Sequence, residues 1–250
     1  MILYTNGCSW TWGGGLDEHF IEPIHKLNNE KRLPLLWPHH LGKLLNASET
    51  VNLSDGCGSN QRMMRTTYRW LLKQSKETLN HVVPVLQFTE WARMEVYDGK
   101  KNIYEDHPGK WIKCKIDVVM QESGYIPELS DDYDVLFKKA QDRILDTSVT
   151  ENFYRTVSYL YALKGIFQSF GITDFYIWHL GHCWWEFPDH LRNRLYRDFK
   201  VLDDFDNLSQ IGTQGWKYER ISNADLHPSI EGHKQLAGII YEKMKQKGYR

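Results

Sequence analysis

Charge of either sign is hardly in excess in this sequence: 31 Lys and Arg face 32 Asp and Glu, a formal net charge of −1. That balance gives no electrostatic footprint for a phosphate backbone, so nucleic acid is not an expected partner. Cysteine is scarce, with four in 250 residues: Cys8, Cys57, Cys114 and Cys183. No pair has C-x-x-C spacing, so the common zinc signatures are missing. No apolar run approaches the roughly 18–20 residues that span a bilayer. The first apolar run begins at Ile2, leaving no room for a leader. The expectation is a soluble chain made in the cytoplasm with its thiols reduced, and release by lysis or a place in a virion stays open. Internal repeats, low-complexity tracts and a clear domain boundary are also missing. The whole length, 1–250, is read as one domain with an insertion at about 97–130.

Aromatic residues are plentiful by contrast, with ten Trp and fourteen Tyr. Several of the tryptophans fall in expected loops, where an indole can stack on a sugar ring or anchor an interface as well as fill a core. Hydrophobic residues at 41% and charged residues at 25% leave enough apolar surface for a full core.

Two stretches concentrate the chemistry. Ile2-Leu3-Tyr4 reads as a buried first strand and runs directly into Thr5-Asn6-Gly7-Cys8-Ser9-Trp10-Thr11-Trp12-Gly13-Gly14-Gly15. A serine just past a strand end, held in a tight glycine turn, is where a nucleophile is exposed to attack a substrate. An ordinary strand-to-helix turn uses the same residues. Near the other end, Asn223-Ala224-Asp225-Leu226-His227-Pro228-Ser229 precedes an amphipathic helix expected over 230–244. Acid and base then share one short loop, in the chain order Ser9, Asp225, His227, and such a set is recognised by roles and not by order.

Gly7-Cys8-Ser9-Trp10-Thr11-Trp12-Gly13 resembles the first block of the SGNH (GDSL) hydrolases, G-D-S-x-T-x-G. Asn52-Leu53-Ser54-Asp55-Gly56-Cys57-Gly58-Ser59-Asn60 is similar to their second block, and Asp225-Leu226-His227-Pro228-Ser229 to their last. The resemblance implies a flavodoxin-like three-layer α/β/α sandwich with a mainly parallel sheet. It also implies a nucleophilic Ser9, a basic His227, an orienting Asp225 and an oxyanion hole that includes the Ser9 N–H. A backbone donor of the second block falls at Gly58 by matching glycines, with Gly56 the other glycine there and Cys57 the position reached by counting from Asn52. Cys8 and Cys57 would lie on neighbouring loops.

The chain departs from that pattern twice. At the third block, G-x-N-D, the strand end places Gln87 on the glycine, Thr89 on the asparagine and Glu90 on the acid. Thr89 can still donate through its hydroxyl, and Gln87 or Asn60 are further candidate donors. At the last block the spacing is D-x-H, with Ala224 at the usual place of the acid. Trp10, Asn60, His182 and Trp184 are candidates to line the substrate pocket. His179, His182 and Cys183 match no standard zinc spacing, so no metal and no cofactor are expected.

Between these blocks the pattern alternates strand and helix, as a parallel sheet covered on both faces requires. Helices are expected over 37–45, 61–72, 131–145, 148–170 and 191–199, and strands over 49–53, 81–88, 174–178 and 201–206. Loops are expected over 17–34, 179–187 and 207–218. Pro84 suggests an end or an irregularity in its strand. The expected function is hydrolysis of a short-chain acyl ester, such as an O-acetyl group on a carbohydrate. The alternatives are acyl transfer to a sugar, or a carbohydrate-binding or virion-associated module on a scaffold of weakened activity.

Overall fold

A computed structural model of the chain describes residues 1–14, 16, 32–56, 58–89, 93–97, 111–115, 142, 149–178, 189–202, 218–222 and 227–249. Most of the loop expected over 17–34, nearly all of the helix over 131–145, the loop over 179–187 and all of 203–217 lie outside the described residues.

The chain opens with strand β1 (Ile2–Asn6) and the one-turn helix α1 (Ser9–Trp12). After a 3-10 turn (Leu33–Leu35) come α2 (Trp37–Leu44), β2 (Glu49–Asn52), α3 (Asn60–Leu71), α4 (Lys76–Leu79) and β3 (Val82–Gln87). Strands β4 (Arg93–Tyr97) and β5 (Trp111–Lys115) pair antiparallel as a separate ribbon, of which β5 falls within the insertion expected at about 97–130 and β4 just before it. Then follow α5 (Val149–Ser169), β6 (Tyr176–Trp178), α6 (Asp189–Asp198), β7 (Lys200–Val201) and α7 (Ile230–Gln246).

The main sheet has the order β2-β1-β3-β6-β7, and every neighbouring pair is parallel. Counting sheet strands alone, this is the flavodoxin-like doubly wound order, with its topological switch point between β1 and β3. Successive strand residues point to opposite faces, so the sheet builds two cores. Tyr4, Leu86, Ile177 and Val201 pack beneath α3, α5 and α6. Leu3, Val85, Tyr176 and Trp178 pack beneath α2 and α7. The protein is an α/β three-layer sandwich.

Pro84 lies inside β3 and not at its end. Its register explains this. The Phe88 N–H bonds to Trp178 of β6, so by alternation the Pro84 nitrogen faces the same side. Pairing with β6 starts only at Val85, so no ladder bond is lost.

Two helices expose apolar residues beside their buried stripes. Leu44 is 44% exposed, while Trp37, Leu41 and Leu45 are buried. On α3, Tyr68 and Leu72 are 44% and 57% exposed. The buried stripe is instead Asn60, Met63, Thr67 and Leu71. Two polar residues occupy it because each has a buried partner: Asn60 bonds the Thr89 main chain and Thr67 bonds the Tyr4 hydroxyl. The positive φ of Gly171, 81°, lies just past the end of α5.

Candidate active site

The carboxyl ends of β1, β2 and β3 converge on the turn that carries Ser9. Cys8 is the N-cap of α1 and Ser9 its first residue. Gly13, at φ 89°, closes that single turn and returns its N–H to the Ser9 carbonyl. Three side-chain amides hold the turn, one from each strand end. Asn6 Oδ1 accepts the Gly7 N–H at 2.9 Å. Asn52 Nδ2 donates to the Thr11 carbonyl at 3.0 Å. Gln87 Oε1 accepts both the Thr11 hydroxyl at 2.6 Å and the Cys8 N–H at 3.3 Å. Gly7 is required here, because a Cβ would sit 2.7 Å from Gln87 Cβ.

His227 arrives on a second, distant device. Residues 219–221 run antiparallel to 227–229: the Ser229 N–H bonds the Glu219 carbonyl and the Ile221 N–H bonds the His227 carbonyl, each at 3.0 Å. Ser229 then caps α7, accepting the Gly232 N–H at 3.0 Å and donating its hydroxyl to Glu219 Oε1 at 2.6 Å. The sequence signal for this was the serine one residue before the apolar periodicity. Gly232 lets the 219–221 strand cross the helix, since a Cβ there would run into the Glu219 carbonyl oxygen.

These two devices place His227 Nε2 at 2.8 Å from Ser9 Oγ. With the ring proton on Nδ1, Nε2 accepts the serine hydroxyl. Trp10 walls the pair, its ring 6.2 Å from that of His227 and 5.8 Å from that of Tyr218. The Ser9 N–H belongs to the first turn of α1, in which the Thr11 and Trp12 N–H groups bond the Cys8 carbonyl, each at 3.0 Å.

The remaining expected site residues divide. Thr89 is buried just past β3, and its hydroxyl has no hydrogen-bond partner among the described residues. Asn60 is bonded to the main chain of Thr89. Its Nδ2 donates to the Thr89 carbonyl at 2.9 Å and its Oδ1 accepts the Thr89 N–H at 2.8 Å, so it clamps Thr89 from α3. The Gly58 N–H is spent on the Asp55 carbonyl at 3.0 Å, which closes the second-block turn. Gly56 faces Trp12, where an added Cβ would lie 3.4 Å from the indole. Cys57, Glu90, Asp225, His182 and Trp184 lie outside the described residues, as do His179 and Cys183. The Cys8 thiol is buried and free.

Gly14 and the Asn52 amide are parts of the site that spacing did not assign, and Gln87, named above as a candidate donor, accepts from the nucleophile turn through Oε1. The signal for Gly14 was the glycine run after Trp12. His233 is core. It is fully buried, and its Nδ1 accepts the Trp37 N–H at 3.2 Å. Burial first, then the nearby His40, His227 and Arg32, push it down to about 3, so the ring is neutral. Among the described residues no group of three His, Cys, Asp or Glu side chains is placed to hold a metal, and no helix is long and apolar enough to cross a membrane.

Similar folds occur among solved structures. A protein assigned to the lipolytic G-D-S-L family from Desulfitobacterium hafniense DCB-2 has 12% identity and a TM-score of 0.48, covering 97% of this chain and 98% of that one. A member of the lipolytic protein G-D-S-L family from Veillonella parvula DSM 2008 has 12% identity and a TM-score of 0.48, covering 100% and 99%. No curated relative matches the sequence. Residues 24–173, more than half of the chain, match the family of unknown function DUF6071, and the chain belongs to that family.

Proposed function

We propose that the protein is a serine ester hydrolase acting on a short-chain acyl ester, with an O-acetylated carbohydrate as the expected substrate class. One observation carries this reading: Ser9 Oγ and His227 Nε2, 218 residues apart in the chain, lie at hydrogen-bond distance. They meet at the carboxyl end of the parallel sheet beside its switch point, where open α/β sheets bind ligands.

In the proposed reaction Ser9 Oγ attacks the ester carbonyl carbon while its proton passes to His227 Nε2. The carbonyl oxygen becomes an oxyanion, taken up by the Ser9 N–H, the Thr89 hydroxyl and a donor of the 56–58 turn. Collapse breaks the bond to the alcohol oxygen, which leaves with the proton held by His227. Water then repeats the cycle on the acyl-serine and releases the carboxylic acid. Asp225 is assigned to orient the imidazole and to stabilise its charged form.

A second reading has its own observation. Gly58 N–H and the Asn60 amide, both expected at the substrate, are bonded inside the protein. That favours a glycan-binding module on the same scaffold. Turnover of p-nitrophenyl acetate by wild type and Ser9→Ala separates the two. Loss of turnover in Ser9→Ala supports the hydrolase. Glycan binding that persists in Ser9→Ala, with no hydrolysis by wild type, supports the module.

A further inference from the structure

We infer that Gln87 is a positioning residue that sets the direction of the Ser9 hydroxyl, an inference that rests on the esterase reading. Gln87 is the last residue of β3 and is wholly buried. A glutamine at that depth must have its amide oxygen satisfied, and both lone pairs of Oε1 are used on the nucleophile turn. One takes the N–H of the residue before Ser9, and the other takes the hydroxyl of the residue two after it. A single fixed atom thus holds the turn on both sides of the nucleophile. Bonding of the Cys8 N–H to Gln87 also separates it from the next amide, that of Ser9, which the proposed oxyanion hole requires free. The carboxamide can come this close only because Gly7 has no side chain between them.

Asn52 reinforces the same point from the opposite strand by holding the Thr11 carbonyl. Thr11 is therefore fixed at two atoms, its hydroxyl by β3 and its carbonyl by β2. The turn cannot rotate about its own axis without breaking one of the two. The sequence motif aligns Gln87 with a position that the resembling family fills with glycine. Here the extra side chain reaches across the switch point and does work on β1.

The test uses Gln87→Met, Gln87→Glu and Thr11→Val. Gln87→Met keeps length and burial but removes the acceptor. Thr11→Val keeps shape but removes the donor, and it serves if Gln87→Met fails to fold. Gln87→Glu restores an acceptor oxygen in either protonation state. The expected result is a fall in kcat of about 10- to 100-fold in Gln87→Met and Thr11→Val with KM changed less than about twofold, as for a displaced reacting group. Gln87→Glu should stay within about threefold of wild type, a rescue that packing alone would not produce. A crystal structure of Gln87→Met should show Ser9 Oγ moved out of reach of His227 Nε2. Wild-type kcat in Gln87→Met, or an unmoved Ser9–His227 pair in its structure, overturns the inference. The structural arm does not need turnover. If wild type and Ser9→Ala hydrolyse esters equally, the esterase reading fails while the displacement of Ser9 is still measured.

Discussion

Gly14 lies directly against His227: a Cβ at residue 14 would stand 3.0 Å from His227 Nε2 and 2.9 Å from Ser9 Cβ. Backbone therefore covers one side of the Ser9–His227 hydrogen bond, and on the proposed esterase reading a substrate carbonyl approaches from another. Gly14→Ala is expected to push the two side chains apart and to lower ester turnover by about 100-fold. Thermal unfolding should move little, because the strain falls on a loop. Unchanged turnover would show that the pair has room to spare.

Thr89→Val separates catalysis from folding. The hydroxyl it removes is buried without a partner among the described residues. Its loss should leave the free energy of unfolding unchanged or slightly raised, by no more than about 1 kcal/mol. If the hydroxyl donates to the oxyanion, kcat falls by about 10²–10³. Steady-state kinetics beside urea titrations read both numbers, and a fall in stability with full activity would remove Thr89 from the oxyanion hole.

Asn60→Ala should do the reverse at first sight. It strands the Thr89 N–H and carbonyl in the interior, each worth about 1–3 kcal/mol when buried and unpaired. Stability should drop by about that amount, and activity should follow as Thr89 loses its anchor. A stable variant that loses only substrate affinity would return Asn60 to the substrate pocket.

Gly232→Ala tests the hairpin that delivers His227. The new methyl group collides with the Glu219 carbonyl, which is main chain and cannot swing aside. The cost is about 1–3 kcal/mol, as in other overpacked sites, together with loss of turnover. Circular dichroism melts and p-nitrophenyl acetate assays on the same preparation check it. Wild-type values in both would mean the hairpin is free to shift.

The pH profile of stability should carry the signature of His233. Its folded value of about 3 lies below the ordinary 6.5. Between those limits the unfolded chain takes up a proton that the folded chain refuses. Stability from this group is complete above pH 6.5 and declines on acidification, by up to roughly tenfold in the folding equilibrium per pH unit. His233→Gln retains an acceptor for the Trp37 N–H but cannot titrate, so its profile should be flatter from pH 6 to about 4. Parallel profiles for the two proteins would assign the acid loss elsewhere.

Much of the fold was legible because its signals are local. A strand run, a glycine turn and a serine at position 9 sit within a dozen residues, and Ser229 announces α7 by itself. The two helical stripes were harder. Neighbouring stripes on α3 have similar apolar counts, and what turns Asn60 and Thr67 inward is the need of Thr89 and Tyr4 for partners. Those partners lie far off in sequence. Asn60 as a clamp, Gln87 as an acceptor and the crowding at Gly14 belong to the same class, since each depends on which strand ends become neighbours. The β4–β5 ribbon escaped notice because glycines and prolines around it mask a two-residue alternation.

The distance along the chain between Ser9 and His227 also governs when their contact can form. All pairings in the main sheet are parallel, so each closes a long loop before any contact rewards it. The Ser9–His227 contact is longer-range still, spanning 218 residues. On refolding, helical signal should recover first and reactivity of the Ser9 hydroxyl last, which makes that reactivity a clock for the completed topology.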